Sequence, residues 1–282
     1  MTEAMSSSST CPPFPGLDRI ICGDVLDVLA RVPRESVHLI VTSPPYNLEK
    51  EYEEHDDALE YAAYLEWMGA VWRACLGVLV EGGRLCINIG ENKRQNITYP
   101  TYSAFIQQCV DLGMLYRGTI IWNKNSAAKH CAWGSWMSPS NPHVVPRHEY
   151  ILAFSKGQWK LETDGAKADI TDKEFMDCTR SVWSFGTDSR TKRGHPAPFP
   201  TMLPERLIKF YTYPGQTVLD PFGGSGTVGL VAVALGRHFI YGDNSPTYCE
   251  LAKDRINTEH GLFFQTDIIA AADLPLVEDA TP

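Results

Sequence analysis

Residues 42–46, with the sequence Thr-Ser-Pro-Pro-Tyr, follow the apolar run 37–41 and are the part of the chain best suited to chemistry. The run is short and β-branched, which predicts a buried strand, so the motif is expected at a carboxyl strand end, where open α/β sheets bind ligands. Two successive prolines fix two backbone angles and remove two N–H donors. The resulting stiff corner offers two acceptors, the Ser43 hydroxyl and the Pro44 carbonyl, beside the flat ring of Tyr46. Such a corner suits a planar group that carries an NH2, although a plain proline-stiffened turn would use the same residues.

Residues 217–229 have the pattern of a strand, a glycine-rich turn and the start of a helix. Gly224, Gly226 and Gly229 fit G-x-G-x-x-G, which lets the backbone approach a bound cofactor closely at a helix N-terminus. The next predicted strand ends at Asp243, whose carboxylate can accept hydrogen bonds from the hydroxyls of a ribose. The motif therefore predicts a cofactor with a ribose, either a nicotinamide dinucleotide or S-adenosylmethionine.

The position of this second motif and its first residue separate the two cofactors. Few residues follow Asp243, so the other strands that a dinucleotide fold needs must come from the amino-terminal part, and the sheet is predicted to be circularly permuted. Asp220 begins the turn, and its charge would repel a pyrophosphate but attract the amino and sulfonium groups of S-adenosylmethionine. The sequence therefore favours S-adenosylmethionine.

Seven short apolar runs predict strands, and helical patterns lie between most of them. The predicted strands cover residues 19–22, 37–41, 84–89, 115–122, 150–154, 218–220 and 239–242. The predicted helices cover residues 25–32, 58–80, 102–112, 205–211, 228–235 and 245–257, with Pro204 expected at the first position of the fourth. This alternation predicts a mostly parallel, doubly wound α/β sheet.

The composition is that of an ordinary globular protein, with 282 residues, 44% hydrophobic and 21% charged. The eight cysteines show no Cys-x-x-Cys spacing, so we expect reduced thiols in a cytoplasmic protein, with neither a metal site nor a disulfide framework. The apolar stretches are too short to predict a membrane span. A net charge of −9 argues against a general nucleic-acid coat protein.

Two long segments, 123–147 and 155–204, do not fit the alternation of strands and helices. Both mix basic residues with aromatic or histidine side chains, a combination that suits contacts with a nucleic-acid backbone and its bases. Ordinary solvated surface and a small satellite core remain as alternatives. The candidate nucleic-acid contacts are Lys124, Lys129, Trp133, Trp136, Arg147, Arg190, Lys192, Arg193 and His195.

The order of the two motifs, with the acceptor corner before the cofactor turn, resembles the β-class amino DNA methyltransferases, which use S-adenosylmethionine. The Ser-Pro-Pro-Tyr form is typical of cytosine-N4-specific enzymes from restriction–modification systems. The resemblance covers roughly residues 19–257. It implies a circularly permuted Rossmann-like methyltransferase fold, with a seven-stranded mostly parallel sheet, helices on both faces and a small loop-rich DNA-recognition part.

The resemblance also assigns roles to residues. The catalytic corner would consist of Ser43, Pro44, Pro45 and Tyr46. Asp24 would contact the cofactor adenine, residues 195–200 would close over its methionine end, and Asp243 would bind the ribose. The full set of implied cofactor contacts is Asp24, Thr42, Pro198, Phe199, Pro200, Asp220, Pro221, Phe222, Gly223, Gly224, Ser225, Gly226, Thr227, Asp243 and Asn244.

The resulting domain organisation has five parts along the chain. They are a disordered tail (1–17), a catalytic half (18–154) with a DNA-facing loop (123–147), a target-recognition segment (155–194), a cofactor-binding half (195–260) and a carboxyl-terminal extension (261–282). The implied substrate is double-stranded DNA. The resemblance also implies two protein partners, a restriction endonuclease that acts on the same DNA site and a second copy of the chain in a homodimer.

Three alternatives to cytosine-N4 methylation remain open, and a fourth, carbon-5 methylation, is excluded. Adenine-N6 methylation uses the same scaffold, although its acceptor corner more often begins with Asp or Asn than with a residue such as Ser43. Methylation of RNA or of a protein amide is a more distant enzymatic reading, and a non-catalytic DNA-binding regulator is a different class. Carbon-5 methylation of cytosine is excluded, because it needs a thiolate nucleophile, which its enzymes carry in a Pro-Cys pair, and no Pro-Cys occurs in the sequence.

Overall fold

The computed structural model describes residues 14–46, 60–94, 97–125, 134–163, 165–187 and 200–277. The strands are β1 (Arg19–Cys22), β2 (Val37–Thr42), β3 (Leu79–Ile89), β4 (Asn92–Arg94), β5 (Ile97–Tyr99), β6 (Leu115–Asn123), β7 (His148–Ser155), β8 (Val182–Ser184), β9 (Thr217–Asp220), β10 (His238–Asp243) and β11 (Ile268–Ala270). The α-helices are α1 (Val25–Leu29), α2 (Tyr61–Val78), α3 (Thr101–Asp111), α4 (Asp172–Cys178), α5 (Met202–Tyr211), α6 (Thr227–Ala234) and α7 (Pro246–His260).

Nine of these strands form one sheet in the order β11-β1-β10-β9-β2-β3-β7-β6-β8, and β4 pairs only with β5. Every neighbouring pair in the large sheet is parallel except β3 with β7 and β7 with β6. The mostly parallel α/β fold predicted from the alternation of elements is confirmed.

Strand β2 illustrates why the apolar runs form buried strands. Leu39 and Val41 pack on one face of the sheet with α5, α6 and α7, while Ile40 packs on the other face with α1, α2 and α3. A strand that is covered on both faces needs a nearly continuous apolar sequence, and β2 has one apart from His38, whose Nδ1 accepts from the Thr217 N–H at 3.2 Å, and Thr42 at its end. The helices therefore lie on both faces, as a doubly wound sheet requires.

The sheet is permuted, because β9 lies late in the chain but sits in the middle of the sheet. It pairs with β10 on one side and with β2 on the other. From β9 the chain continues to β10, whereas from β2 it continues to β3 in the opposite direction across the sheet. The gap between the carboxyl ends of β9 and β2 is therefore the topological switch point, where ligands bind in open α/β sheets.

The predicted count of seven strands is wrong for the main sheet, which has nine. The two extra strands, β8 and β11, lie at the outer edges and are three residues long, too short to give a clear apolar run. Helix α4 was not predicted either, although Thr171 and Glu174 form a capping box at its start. Helix α5 begins at Met202, so Pro204 is its third residue, within the first turn, where a missing N–H is still tolerated.

Residues 14–17, which composition grouped with the tail, form a turn before β1, and Phe14 and Leu17 pack against the core. In the part of the chain that the structure describes, none of the helices combines the length and the apolarity needed to cross a lipid bilayer. Residues 1–13 of the predicted tail lie outside the described residues.

Candidate active site

The carboxyl ends of four neighbouring strands, β1, β10, β9 and β2, lie together at one end of the sheet. Cys22 at the end of β1 is level with Asp243 at the end of β10, and Asp220 at the end of β9 is level with Tyr241. Thr42 ends β2 on the other side of β9. This alignment brings the acceptor corner (residues 42–46) and the glycine-rich turn after β9 to the same end of the sheet.

A single hydrogen bond joins the two motifs across the switch point. The Thr42 hydroxyl donates to Oδ1 of Asp220 at 2.8 Å, and the Phe222 N–H donates to the same oxygen at 3.2 Å. Asp220 is buried, and burial raises the pKa of its carboxyl to about 7, against the opposing effect of these two hydrogen bonds. The Asp243 charge adds to the increase in pKa. Near neutral pH this carboxyl is therefore close to its midpoint of ionisation.

Residues 220–227, called the cofactor turn below, are fixed by partners outside the turn. The Gly224 N–H donates to Oδ2 of Asp243 at 2.8 Å, and the Tyr241 hydroxyl donates to the Gly224 carbonyl at 2.7 Å. The other Asp243 oxygen accepts from the Ser245 N–H at 2.9 Å. The backbone therefore fixes the orientation of the Asp243 carboxylate at the carboxyl end of β10.

Two glycines of the cofactor turn are required by close packing. A Cβ at Gly223 would overlap the ring of Tyr241, and one at Gly226 would lie 2.8 Å from Cβ of Ala252. Gly226 also has φ of +75° at the start of α6, a conformation that L side chains rarely adopt. The two glycines therefore let the turn pack directly against β10 and α7.

Arg255 of α7 supports the cofactor turn from behind. Its Nη1 donates to the Ser225 carbonyl at 3.1 Å and to the Thr227 hydroxyl at 2.9 Å. The remaining implied contacts lie nearby in the fold. Asp24 caps α1 by accepting from the Leu26 N–H at 2.8 Å, and Asn244 is exposed directly after β10.

The acceptor corner after β2 is held by α2. The hydroxyl of Tyr64, a fully buried residue, donates to the Pro45 carbonyl at 2.8 Å. Pro44 is buried, whereas Ser43 and Tyr46 are half-buried. The corner is therefore stiffened by its prolines and by Tyr64, which leaves the Ser43 hydroxyl at the surface of the switch point.

A polar network lies directly behind the corner, and the sequence analysis did not identify it. The Tyr46 hydroxyl is 3.4 Å from Ser43 Oγ and 3.4 Å from Nδ2 of Asn88, at the end of β3. The same Asn88 nitrogen donates to Oε2 of Glu149 at 2.7 Å, and Glu149 forms an ion pair with Lys124. Burial, followed by the Glu149 charge, raises the pKa of Tyr46 well above its usual value, so Tyr46 is a neutral phenol.

The predicted DNA contacts that the structure describes are spread over the end of β6 and the segment after it. Lys124 is drawn inward by Glu149, and its backbone N–H donates to the Arg147 carbonyl at 3.2 Å. Residues 134–147, called the outer loop below, carry Trp136, which is 74% exposed. The last residue of the outer loop directly precedes β7, which begins beside the end of β3 that carries Asn88, so the outer loop leads into the catalytic end of the sheet.

Eight predicted site residues lie outside the described residues, and their roles stay predictions. They are Lys129, Trp133, Arg190, Lys192, Arg193, His195, Pro198 and Phe199. Pro200, the last residue of the segment expected to close over the cofactor, is buried just before α5, and its carbonyl accepts from the Leu203 N–H at 3.0 Å. Its contact with the cofactor stays a prediction as well.

Sequence reasoning missed Tyr64, Asn88, Glu149 and Arg255. One signal was available for Glu149, since it is the only acid among five basic residues in residues 123–160. Asn88 is an amide within an otherwise apolar strand, a position that is unusual unless the side chain has a buried partner. The other two act through contacts between distant elements, which have no local signature.

The switch-point site defines a class of protein: an α/β enzyme that holds a cofactor over a glycine-rich turn and faces it with an acceptor corner for an amine. A family model for DNA methylases of the N6 and N4 type matches residues 37–254. The chain belongs to this family of DNA methyltransferases, and the resemblance inferred from its motifs is confirmed.

The most similar relatives include two type II methyltransferases of Methanocaldococcus jannaschii. M.MjaVI is 39% identical over 171 residues, which are 61% of this chain and 87% of the relative. M.MjaI is 33% identical over 262 residues and covers 79% of this chain and 85% of the relative. Type II methyltransferase M.HpaI of Haemophilus parainfluenzae is 30% identical over 88% of this chain and 77% of its own length.

Among solved structures, a DNA modification methylase from Thermus thermophilus in complex with S-adenosyl-L-methionine matches with a TM-score of 0.71 and 32% identity, over 89% of this chain and 99% of that chain. The PvuII cytosine-N4-specific DNA methyltransferase matches with a TM-score of 0.66 and 21% identity, over 89% of this chain and 97% of that chain. S-adenosylmethionine is the cofactor of this protein, as the family and the complex of the Thermus thermophilus relative indicate, and the Asp243 carboxylate, oriented by the Gly224 N–H at the switch point, fits it.

Proposed function

We propose that this DNA methyltransferase transfers the methyl group of S-adenosylmethionine to the exocyclic N4 of a cytosine flipped out of duplex DNA. The observation that carries the proposal is the Thr42–Asp220 hydrogen bond of 2.8 Å, which joins the acceptor corner to the cofactor turn. A base held at Ser43 would therefore lie next to a cofactor held at residues 220–227.

The acceptor corner answers a specific chemical difficulty. A cytosine amino nitrogen is a poor nucleophile because its lone pair is delocalised into the ring, and it cannot be reached while the base is stacked in a duplex. In our proposal Tyr46 stacks on the flipped base, while Ser43 Oγ and the Pro44 carbonyl accept from the two N–H groups. These contacts localise the lone pair on nitrogen and direct it towards the cofactor.

S-adenosylmethionine supplies an electrophilic methyl group on a sulfonium. The residues proposed to hold it are Asp24 at the adenine, Asp243 at the ribose and the cofactor turn, with Arg255 keeping that turn in place. The protein's contribution is then chiefly positioning and the exclusion of water. No strong general base is needed, since the proton is lost only after the nitrogen has become cationic.

The choice of cytosine depends on the hydroxyl of Ser43. The family includes N6 and N4 methylases, so family membership alone is compatible with adenine. The Ser-Pro-Pro-Tyr form of the corner supports cytosine. Transfer of label from methyl-tritiated S-adenosylmethionine to DNA, followed by nucleoside chromatography, tests this directly. We expect label in N4-methylcytosine, whereas label in N6-methyladenine would overturn the choice of base and unlabelled DNA would contradict the activity.

Substitution of Ser43 tests the proposed role of the corner. We expect Ser43→Ala to lower the single-turnover methylation rate by about a hundredfold, since one acceptor is lost only from the reacting complex, with little change in cofactor affinity. Ser36→Ala is a matched control, because its hydroxyl bonds the Pro33 carbonyl at the opposite end of β2. Equal rates for Ser43→Ala and the control would contradict the role.

The relatives suggest a biological setting. Because several are type II methyltransferases, we infer that this enzyme protects a site that a restriction endonuclease cleaves. The cysteines Cys22, Cys75, Cys86, Cys109, Cys178 and Cys249 are free thiols, which agrees with action on DNA in the cytoplasm. The homodimer inferred from family habit stays a prediction.

A further inference from the structure

The proposed chemistry places a requirement on Ser43 that its own side chain cannot meet. A serine hydroxyl carries one proton and two lone pairs. To accept from the amino group of the base, Ser43 must direct its own proton elsewhere, because a proton pointing at the amine would oppose the incoming N–H. A second acceptor behind Ser43 would take this proton and hold the hydroxyl in the accepting orientation.

The Tyr46 hydroxyl occupies that position. Ser43 Oγ lies 3.4 Å from Tyr46 Oη and can donate to it. Tyr46 Oη can serve as an acceptor only if its own proton points away from Ser43. The Tyr46 and Glu149 side chains lie side by side against Gly90, and the Tyr46 hydroxyl is hydrogen-bonded to the Glu149 carboxylate.

Glu149 is suited to set the direction of this chain. An ionised carboxylate only accepts hydrogen bonds, and Lys124 pairs with Glu149 as its counter-ion. The carboxylate also fixes the amide of Asn88, because Nδ2 faces Oε2 of Glu149 at 2.7 Å and must therefore be the nitrogen. The same nitrogen lies 3.4 Å from Tyr46 Oη, so a second donor faces that oxygen. These contacts leave Glu149 as the acceptor for the Tyr46 proton.

Burying the Asn88 amide and the Glu149 carboxylate has a desolvation cost. Asn88 is 2% exposed, and the Glu149 side chain is 13% exposed. Replacing a buried ion pair by apolar residues often leaves stability unchanged or improves it, so such a pair is weak evidence for a purely structural role. Its position directly behind the acceptor corner suggests a role in the reaction.

We propose that Glu149 is a positioning residue that orients the hydrogen-bond chain from Ser43 through Tyr46 to itself, so that Ser43 faces the substrate as an acceptor. The inference rests on the proposed function, since it assumes an amine at Ser43. Glu149 does not touch the substrate in this scheme. Tyr46 gains a second role besides stacking, because its hydroxyl takes the Ser43 proton out of the way.

The test is a double-mutant cycle read by single-turnover methylation with cofactor and DNA at saturation. Glu149→Gln places an N–H donor beside Tyr46 and allows the chain to reverse. We expect it to slow methyl transfer by about tenfold to a hundredfold, a range typical when a supporting hydrogen-bond partner is removed, with the dissociation constant for S-adenosylmethionine unchanged. Tyr46→Phe removes the chain itself and should slow transfer by a similar factor.

The decisive comparison is Glu149→Gln in the Tyr46→Phe background. If Glu149 acts through the phenol, it has nothing left to orient, and the second substitution should change the rate by less than about twofold. If Glu149 only supports local structure, the two effects will multiply, and that result would overturn the proposal. Full activity of Tyr46→Phe alone would overturn it as well, whether or not the Glu149 variant folds.

Glu35→Gln is the matched control, because Glu35 is also paired with a lysine, Lys156, but lies at the opposite edge of the sheet. It should leave the rate unchanged. The cycle also separates this inference from the proposed function. If the wild-type enzyme labels no amino group in DNA, the proposed function fails, whereas multiplying effects on an active enzyme reject only the role of Glu149.

Discussion

The cofactor turn and the outer loop both adjoin the carboxyl-terminal end of the parallel strands, yet they are held differently. The cofactor turn is buried and fixed by side chains from three other elements, with Thr42 on β2, Tyr241 on β10 and Arg255 on α7. The tip of the outer loop is closed on itself by hydrogen bonds such as that from the Ser135 N–H to the Asn141 carbonyl at 2.8 Å, and at its last residue the Arg147 carbonyl accepts from the Lys124 N–H.

The difference indicates when each region acquires its binding geometry. The cofactor turn has its shape before any ligand arrives, so little ordering entropy opposes cofactor binding. The outer loop exposes Trp136, Met137 and Val144 to solvent, and a partner that covered these side chains would add contacts to them. Substitutions in and around the two regions test this difference, and their expected effects on the free energy of unfolding decrease from Gly223 through Asp220 to Trp136.

Gly223→Ala should have the largest effect. The added Cβ would overlap the Tyr241 ring, and because both the turn and β10 are packed, neither can move cheaply. We expect a loss of about 3 kcal/mol in the free energy of unfolding and at least a hundredfold weaker S-adenosylmethionine binding. Chemical denaturation and calorimetric titration would measure both. If the variant bound the cofactor normally, the cofactor turn would be adaptable and the contrast with the outer loop would fail.

The ionisation of Asp220 should have the next largest effect on the free energy of unfolding, and this effect depends on pH. Its pKa of about 7 in the folded protein lies above the value of about 3.8 for an unperturbed Asp, so the folded state holds this proton more tightly. Its contribution to stability is therefore present at low pH and is lost as the pH rises through the window between these two values. Linkage gives a loss of roughly 2.5 kcal/mol between about pH 5 and pH 8.

Asp220→Asn is the control for this pH dependence, because an amide oxygen can still accept from Thr42 and from the Phe222 N–H. Its unfolding free energy should fall less than that of the wild type over the same pH range. Parallel curves for the two proteins would show that Asp220 is not protonated in the folded state.

Trp136→Ala should have the smallest effect on stability. The side chain is 74% exposed, so we expect a change below about 0.5 kcal/mol in the free energy of unfolding and no change in cofactor affinity. DNA affinity should fall by about 1–3 kcal/mol if the indole stacks on a base. Fluorescence anisotropy with a duplex containing the target site would measure it. Unchanged DNA affinity would remove Trp136 from the DNA surface.

The sequence predicted the parts of the site that are contiguous in the chain. The acceptor corner and the cofactor turn each combine an apolar strand with a turn of distinctive residues, so their local structure and their place at strand ends could be inferred. The network of Asn88, Glu149 and Lys124 could not, because it depends on the pairing of β3, β6 and β7. Edge strands such as β11 were missed because three residues carry no periodicity.

The hydrogen bond between Thr42 and Asp220 has a consequence for synthesis of the protein, because it joins residues 178 positions apart. A growing chain releases β2 from the ribosome long before β9, its neighbour in the sheet, exists. Until then β2 is an apolar strand with an unpaired edge, the kind of surface on which nascent chains aggregate. The permuted order therefore makes the synthesis of β9 the step that joins the two parts of the sheet, and no chain that stops before β9 can carry both halves of the reaction site.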